Sequence, residues 1–350
     1  MDITLPTTAG QLGIALGATV IGNENAEIQS FSAIDSLRHG ALSYLSERKF
    51  VTHLRAEKGA VVLTTPDLVV PNLGITFLVV SEPKAAFVRV LRSLDPVRPS
   101  WEGVSTLAII HPETHFGDDV VVAPSVIIER GVRIGSGSVL YPFTYVGEGT
   151  CIGQHCTLYP NVTLHHGVTL GHRVKVYSGA VIGSDGFGYF QKGGFQREVP
   201  QIGTVVIEDD VRIGAHVTID RGTLGETRIG ARTKLDNHVH IAHNCFVGRD
   251  CLLCAFVGLA GSVTLGDGVV MGGQVGVGPH VKVGSGARIA GQTGVGSDLA
   301  GNETYFLTPA VPQREAWRIV KYMRKLPEIW KRLILLEQKL ERASSLNERT

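Results

Sequence analysis

An apolar side chain recurs at every sixth position: Ile110, Phe116, Val122, Ile128, Ile134, Leu140, Val146, Ile152, Leu158, Leu164, Leu170, Val176 and Ile182. The phase returns at Ile207, Ile213 and Ile219 and slips by four residues. It then runs unbroken through Ile229, Leu235, Ile241, Val247, Leu253, Leu259, Leu265, Met271, Val277, Val283, Ile289 and Val295, which makes 28 rungs. An α-helix repeats every 3.6 residues and a strand every 2, so neither element alone explains the pattern. A six-residue unit with one inward side chain can bury it only by winding. Three units then make a triangular coil, and coils stack at the β spacing of about 4.8 Å. Twenty-eight rungs predict about nine coils, with residues 18 apart as vertical neighbours. Gly follows the rung residue repeatedly (Gly117, Gly135, Gly147, Gly153, Gly171, Gly183, Gly214, Gly230), as expected if the backbone turns there through positive φ.

Two interruptions break the ladder. Nineteen extra residues lie between Ile182 and Ile207, and four more follow Asp220-Arg221-Gly222. Loops that leave a rigid solenoid commonly carry binding surface. Residues 1–100 mix strand-like runs (Gly59 to Leu63, Thr76 to Val80) with a helix expected after Pro83, which predicts a small α/β domain; Asp95 to Ser100 reads as a linker. The ladder fills 101–308. Residues 309–350 form a helical extension, helical from Pro312 to about Ala343 with a second helix beginning at Pro327, whose Ile329, Leu333, Leu336 and Leu340 have heptad spacing and call for a packing partner.

The formal charge of +1 over 350 residues gives no general pull toward nucleic acid. No run of about 18 apolar residues and no basic flank before an apolar core is present, so a cytoplasmic protein without a transmembrane segment is expected. Five cysteines offer one familiar spacing, Cys251 and Cys254; a zinc site needs four ligands and no second pair exists, so reduced, partly buried thiols are expected.

Aliphatic side chains fill a β-helix, so polar chemistry belongs on its outside, usually in the cleft between neighbouring copies. The histidines of His238-Val239-His240-Ile241-Ala242-His243 mark one such edge. Eighteen residues past His243 stands Gly261, one coil above, where a missing side chain lets a ligand reach the backbone N–H. His280, three past the rung at Val277, lies near the same corner two coils higher. A base, an amide donor and a second imidazole on one edge suit acyl transfer, in which His takes the acceptor's proton and an N–H holds the oxyanion. Two rivals remain. One is a zinc hydratase built on His165, His166 and His172; the other is a purely structural β-helix.

Four motifs then carry a resemblance: Gly183-Ser-Asp-Gly-Phe-Gly-Tyr189, Pro200-Gln-Ile-Gly203, Thr218-Ile-Asp-Arg-Gly222, and Leu235-Asp-Asn running to Ile241-Ala-His-Asn244. In this order and spacing the chain resembles the UDP-3-O-acylglucosamine N-acyltransferases of Gram-negative lipid A synthesis over nearly its whole length. The resemblance implies a left-handed parallel β-helix, a homotrimer, and transfer of a 3-hydroxyacyl group from the phosphopantetheine of acyl carrier protein to the 2-amino group of UDP-3-O-acylglucosamine. No metal or bound cofactor is implied. An O-acyltransferase acting on a UDP-amino sugar is the nearest alternative, since only the motifs favour the amine. By the same resemblance His243 is the general base, Gly261 supplies the oxyanion amide, and His280, Asp236 and Asn244 contact substrate. Tyr44 and Phe50 inherit the stacking of uracil, though two core aromatics would look the same in sequence. Glu47 stands where many members have Asn. Pro312 to Arg342 carries nine basic residues against four acidic, which suits the docking of acidic acyl carrier protein. Gly291, Gly294 and Gly296 suggest an open groove for long acyl chains.

Overall fold

A computed structural model describes residues 5–94 and 101–347, with side chains to 339. The expected linker, Asp95 to Ser100, lies outside the described residues, as do the side chains of Leu340 and Arg342. The chain forms two compact units, residues 1–98 and 99–350.

The first unit is a five-stranded sheet ordered Thr19–Ile21, Thr76–Val79, Val61–Thr64, Ala41–Leu45, Ser30–Phe31, antiparallel at the first pairing and parallel in the rest. Helix α1 (Ala9–Leu16) opens with a capping box in which Thr8 and Gln11 each bind the other's backbone N–H, and it ends at Gly17 with φ 67°. Helix α2 (Pro83–Ser93) begins at the expected proline and buries Val90 in a core with Leu12, Leu42, Val61 and Leu78.

The second unit is a parallel β-helix of two-residue strands on three faces. Val121–Val122 to Arg288–Ile289 build face I, Ile109–Ile110 to Gly294–Val295 face II, and His115–Phe116 to Lys282–Val283 face III. Every predicted rung lies in one of these strands, and pairings such as Ile241 with Leu259 and Leu259 with Val277 confirm the 18-residue step. The rungs are buried from Val122 to Val295; Phe116, at the open first coil, stays 37% exposed. A second inward position lies two residues before the rung. There Val126, Val162 and Val217 are fully buried, as are Ser138 and Thr150, whose hydroxyls donate to the carbonyls of Gly153 and His165 at 2.9 and 3.0 Å.

The expectation for the glycines after the rung is corrected. Of those eight only Gly183 has positive φ; the left-handed residue stands three past the rung, as at Asn161, His238, Asn244, Ser262 and His280. Glycine after the rung is instead demanded by the coil above: a Cβ on Gly135 would lie 2.7 Å from Gln154 N, and one on Gly147 2.6 Å from His166 N.

Both interruptions leave the helix at the corner where His243 stands, two coils and one coil below it. The longer one carries a hairpin, Tyr189–Lys192 with Phe195–Glu198. Helix α3 (Gln313–Met323) buries Ala316, with Trp317 5.9 Å from Phe306. Helix α4 (Leu326–Asn347) contains Pro327 in its first turn, and its Ile329, Leu333 and Leu336 are exposed among the described residues. No described helix is long and apolar enough to cross a membrane.

Candidate active site

His243 stands at the corner between faces II and III, and Gly261 lies directly above it as predicted. A Cβ on Gly261 would sit 2.7 Å from both Cε1 and Nε2 of the ring, so only glycine leaves the imidazole its place. On the other side a Cβ on Gly186, from the longer excursion, would sit 2.6 Å from His243 Cβ. The ring is clasped between these two backbones. In front of it opens a cleft of about 560 Å³ lined by Phe187, His240, Ala242, His243, Gly258 to Gly261 and Gly276 to Gly278.

Several amides two past a rung point outward and find side-chain acceptors. Gln154 N–H meets His172 Nδ1 at 3.0 Å, His172 N–H meets Asp209 Oδ1 at 2.8 Å, and Arg249 N–H meets Asp267 Oδ1 at 2.7 Å. Gly261 N–H has no such acceptor among the described residues and belongs to the cleft lining. A donor left unpaired at a cleft is one that a ligand oxygen can use.

Asn244 turns away from the cleft. Its Oδ1 accepts Thr223 N–H at 2.9 Å and lies 3.1 Å from His243 Nδ1, while its Nδ2 donates to Leu224 O at 2.7 Å. Because two backbone groups fix which end of the amide is oxygen, Asn244 favours the tautomer in which Nδ1 of His243 carries the proton and Nε2 keeps a free lone pair. Asn244 does not appear in the cleft lining; its side chain contacts His243 and the backbone at Thr223 and Leu224. His280 shares the left-handed column of Asn244 and Ser262, two coils above, and its N–H donates to Gly261 O at 3.0 Å. It is not part of the cleft lining. Asp236 lies at a different corner, between faces I and II, where its oxygens accept Asn237 N–H at 2.8 Å and Ala255 N–H at 3.2 Å. One protomer therefore does not bring Asp236 to His243.

The excursion is held down by two residues to which the sequence reading assigned no role. Arg221 is 1% exposed; its Nε donates to Gly183 O at 2.8 Å and its Nη2 to His166 O at 3.1 Å, its Nη1 meets the His166 ring, and Asp185 lies 3.5 Å away. Burial pulls its pKa down from the ordinary arginine value, against the carboxylate of Asp185. Asp220 accepts the Ser184 hydroxyl at 3.0 Å and lies 3.8 Å from His240 Nε2; burial holds this carboxyl above the usual carboxylate range. Both residues stand in the motif Thr218 to Gly222, so the signal was in the sequence but not its function as a staple.

For the rival zinc set, burial, and next to it Arg221, lowers the pKa of His165. The His166 ring faces the Arg221 guanidinium and His172 Nδ1 is taken up by Gln154 N–H. A cation against one imidazole is a poor setting for Zn²⁺. Cys251 and Cys254 face opposite ways, one buried and one exposed. The expected glycine groove also shifts: a Cβ on Gly294 would meet Thr308 at 2.8 Å and one on Gly291 would meet Gly273 O at 3.2 Å, whereas Gly258, Gly276 and Gly296 face open space.

In the first unit, Tyr44 and Phe50 line one cavity of about 550 Å³ with Phe31, Ser43, Ser46, Glu47 and Phe87. Tyr44 packs on Phe87 at 5.1 Å between ring centres, and Glu47 is paired with Lys49 at 2.7 Å.

The family model for the bacterial transferase hexapeptide (six repeats) matches residues 125–159 and 149–184. A UDP-3-O-acylglucosamine N-acyltransferase from Syntrophotalea carbinolica is 45% identical over 97% of this chain and 98% of its own. One of the same name from Dechloromonas aromatica is 48% identical over 73% of each. The solved structure of an Arabidopsis UDP-N-acetylglucosamine acyltransferase, 24% identical, aligns with 58% of this chain and 71% of its own at a TM-score of 0.49. At 45% identity over nearly the full length of both chains in the first of these pairs, the chain belongs to the UDP-3-O-acylglucosamine N-acyltransferase family, the acyltransferases of lipid A biosynthesis.

Proposed function

We propose that this chain, as a cytoplasmic homotrimer, moves a 3-hydroxyacyl group from the phosphopantetheine thioester of acyl carrier protein to the 2-amino group of UDP-3-O-acylglucosamine. The observation that carries this reading is the pairing of His243 Nε2, a free lone pair, with the unpaired Gly261 N–H across one cleft. As the amine nitrogen bonds to the thioester carbon, Nε2 takes its proton. The carbonyl electron pair moves onto oxygen, where Gly261 N–H holds it. The intermediate collapses with loss of the C–S bond, and the imidazolium returns its proton to the leaving sulfur, giving an amide and a free thiol. Asn244 Oδ1 steadies the imidazolium through Nδ1–H. Tyr44 and Phe50 hold the uracil, His280 approaches the sugar or its phosphate, and a neighbouring protomer is the source of a corner bearing Asp236. No bound metal or cofactor enters these steps.

His243→Ala tests the base. Turnover should fall by about 10²- to 10⁴-fold, the range for removing a general base, with the thermal unfolding transition retained. Near-normal turnover would refute the assignment.

A further inference from the structure

We infer that Gln201 and Thr223, one from each interruption of the ladder, are positioning residues that keep the proton on Nδ1 of His243 and so keep Nε2 basic. The inference rests on His243 being the base. Gln201 is only 7% exposed. Its Nε2 donates to Val199 O at 2.7 Å, which fixes the amide so that Oε1 is the end facing Thr223. The Thr223 hydroxyl lies 2.8 Å from that Oε1 and spends its one proton there. Toward His243 Nδ1, at 3.5 Å, Thr223 can therefore only accept. Nδ1–H is met by two acceptors, Asn244 Oδ1 and Thr223 Oγ1, and by no donor.

The glycines of the longer excursion make room for this chain of contacts. A Cβ on Gly186 would lie 3.0 Å from Gln201 Oε1, and one on Gly188 2.7 Å from Gln201 Nε2. A hydroxyl released from Gln201 would be free to turn its proton toward Nδ1. That would favour the Nε2–H tautomer, in which the nitrogen facing Gly261 has no lone pair to offer.

The test uses the full-length enzyme with ¹⁵N-labelled histidine and long-range ¹H–¹⁵N spectra, the His243 signals being assigned by their loss in His243→Ala. Wild type should carry Nδ1–H. Gln201→Leu should populate Nε2–H and lower kcat by about tenfold or more, with KM for the nucleotide sugar within about twofold, because the base and not binding is altered. Adding Thr223→Val, which has no proton to donate, should restore Nδ1–H and recover part of kcat. Nε2–H in wild type, a Gln201→Leu enzyme with wild-type tautomer and rate, or a double variant no better than Gln201→Leu would each overturn the inference. An active His243→Ala would instead sink the base reading, while the wild-type spectrum would still report on the tautomer.

Discussion

At the scale of single residues, stacking and burial leave the same mark in a sequence, and the cavity around Tyr44 separates them only in part. Tyr44 does both: one side leans on Phe87 and the core behind it, and the other lines the cavity that Phe50 closes. A planar base entering that space would replace solvent on both rings at once. Base-aromatic stacking contributes about 1–3 kcal/mol per base, roughly five- to 150-fold in affinity. Tyr44→Ala should therefore raise KM for the UDP-sugar by about tenfold or more with kcat nearly unchanged, since stacking on uracil is the same in ground and transition states. Steady-state kinetics with varied nucleotide sugar measure this, and an unchanged KM would assign Tyr44 to the core alone.

At the scale of elements, the hexad was legible because one position in six is read by a single demand, burial. Its subtler rules were not. The position two before the rung is just as buried but takes Val, Ala, Ser, Thr or Cys, so no simple periodicity reveals it. The positive-φ turn takes Asn, Asp, His, Arg, Ser, Gln and even Phe besides Gly, so the glycines directly after the rung pointed to the wrong place. Counting by 18 located Gly261 above His243. It could not locate Gln201 or Thr223, because residues that leave the ladder have no count. The inner position also explains the cysteines. Cys156, Cys245 and Cys251 occupy it, and their Sγ atoms approach the carbonyls of Gly171, Ala260 and Gly266 at 3.1, 3.1 and 3.3 Å, the same reach that Ser138 and Thr150 use. Burial pushes the Cys156 and Cys245 thiols up to about 11. As pH rises past about 9 the unfolded thiols ionise while the folded ones keep their protons, so the native state binds more protons and stability must fall with pH. The loss runs until the folded pKa of about 11 is reached. At about 1.4 kcal/mol per pH unit this is on the order of 3 kcal/mol for each thiol. Unfolding midpoints across that alkaline range should fall less steeply in Cys156→Ala and Cys245→Ala than in wild type. Equal slopes would show that these thiols do not couple to folding.

At the scale of the whole molecule, a chain of net charge +1 concentrates its positive charge in the C-terminal helices. On α3, Arg314, Arg318 and Lys321 are spaced four and three residues apart, which puts them on one helix face, and all three are exposed. Ala316 is buried and the helix packs on the strands at Thr304–Phe306 and Val311–Pro312, so the helix is anchored on one side while its basic row is left to solvent. Such a row adds little to stability, because exposed charges are screened within about 10 Å at 0.1 M salt. A basic row of this kind can raise the rate at which an acidic partner arrives in a productive orientation, the role the proposed carrier-protein donor would give it. Reversing all three to Glu should raise KM for the acyl carrier protein thioester by about tenfold or more at low ionic strength, by slowing encounter. KM for the nucleotide sugar and the thermal transition should stay near wild type, since none of the three touches the cleft or the cavity. The gap between variant and wild type should close as salt is raised toward about 0.5 M, where screening removes the attraction that the substitutions reverse. Association rates measured at several salt concentrations decide the matter, and equal rates at low salt would place the carrier protein elsewhere on the molecule.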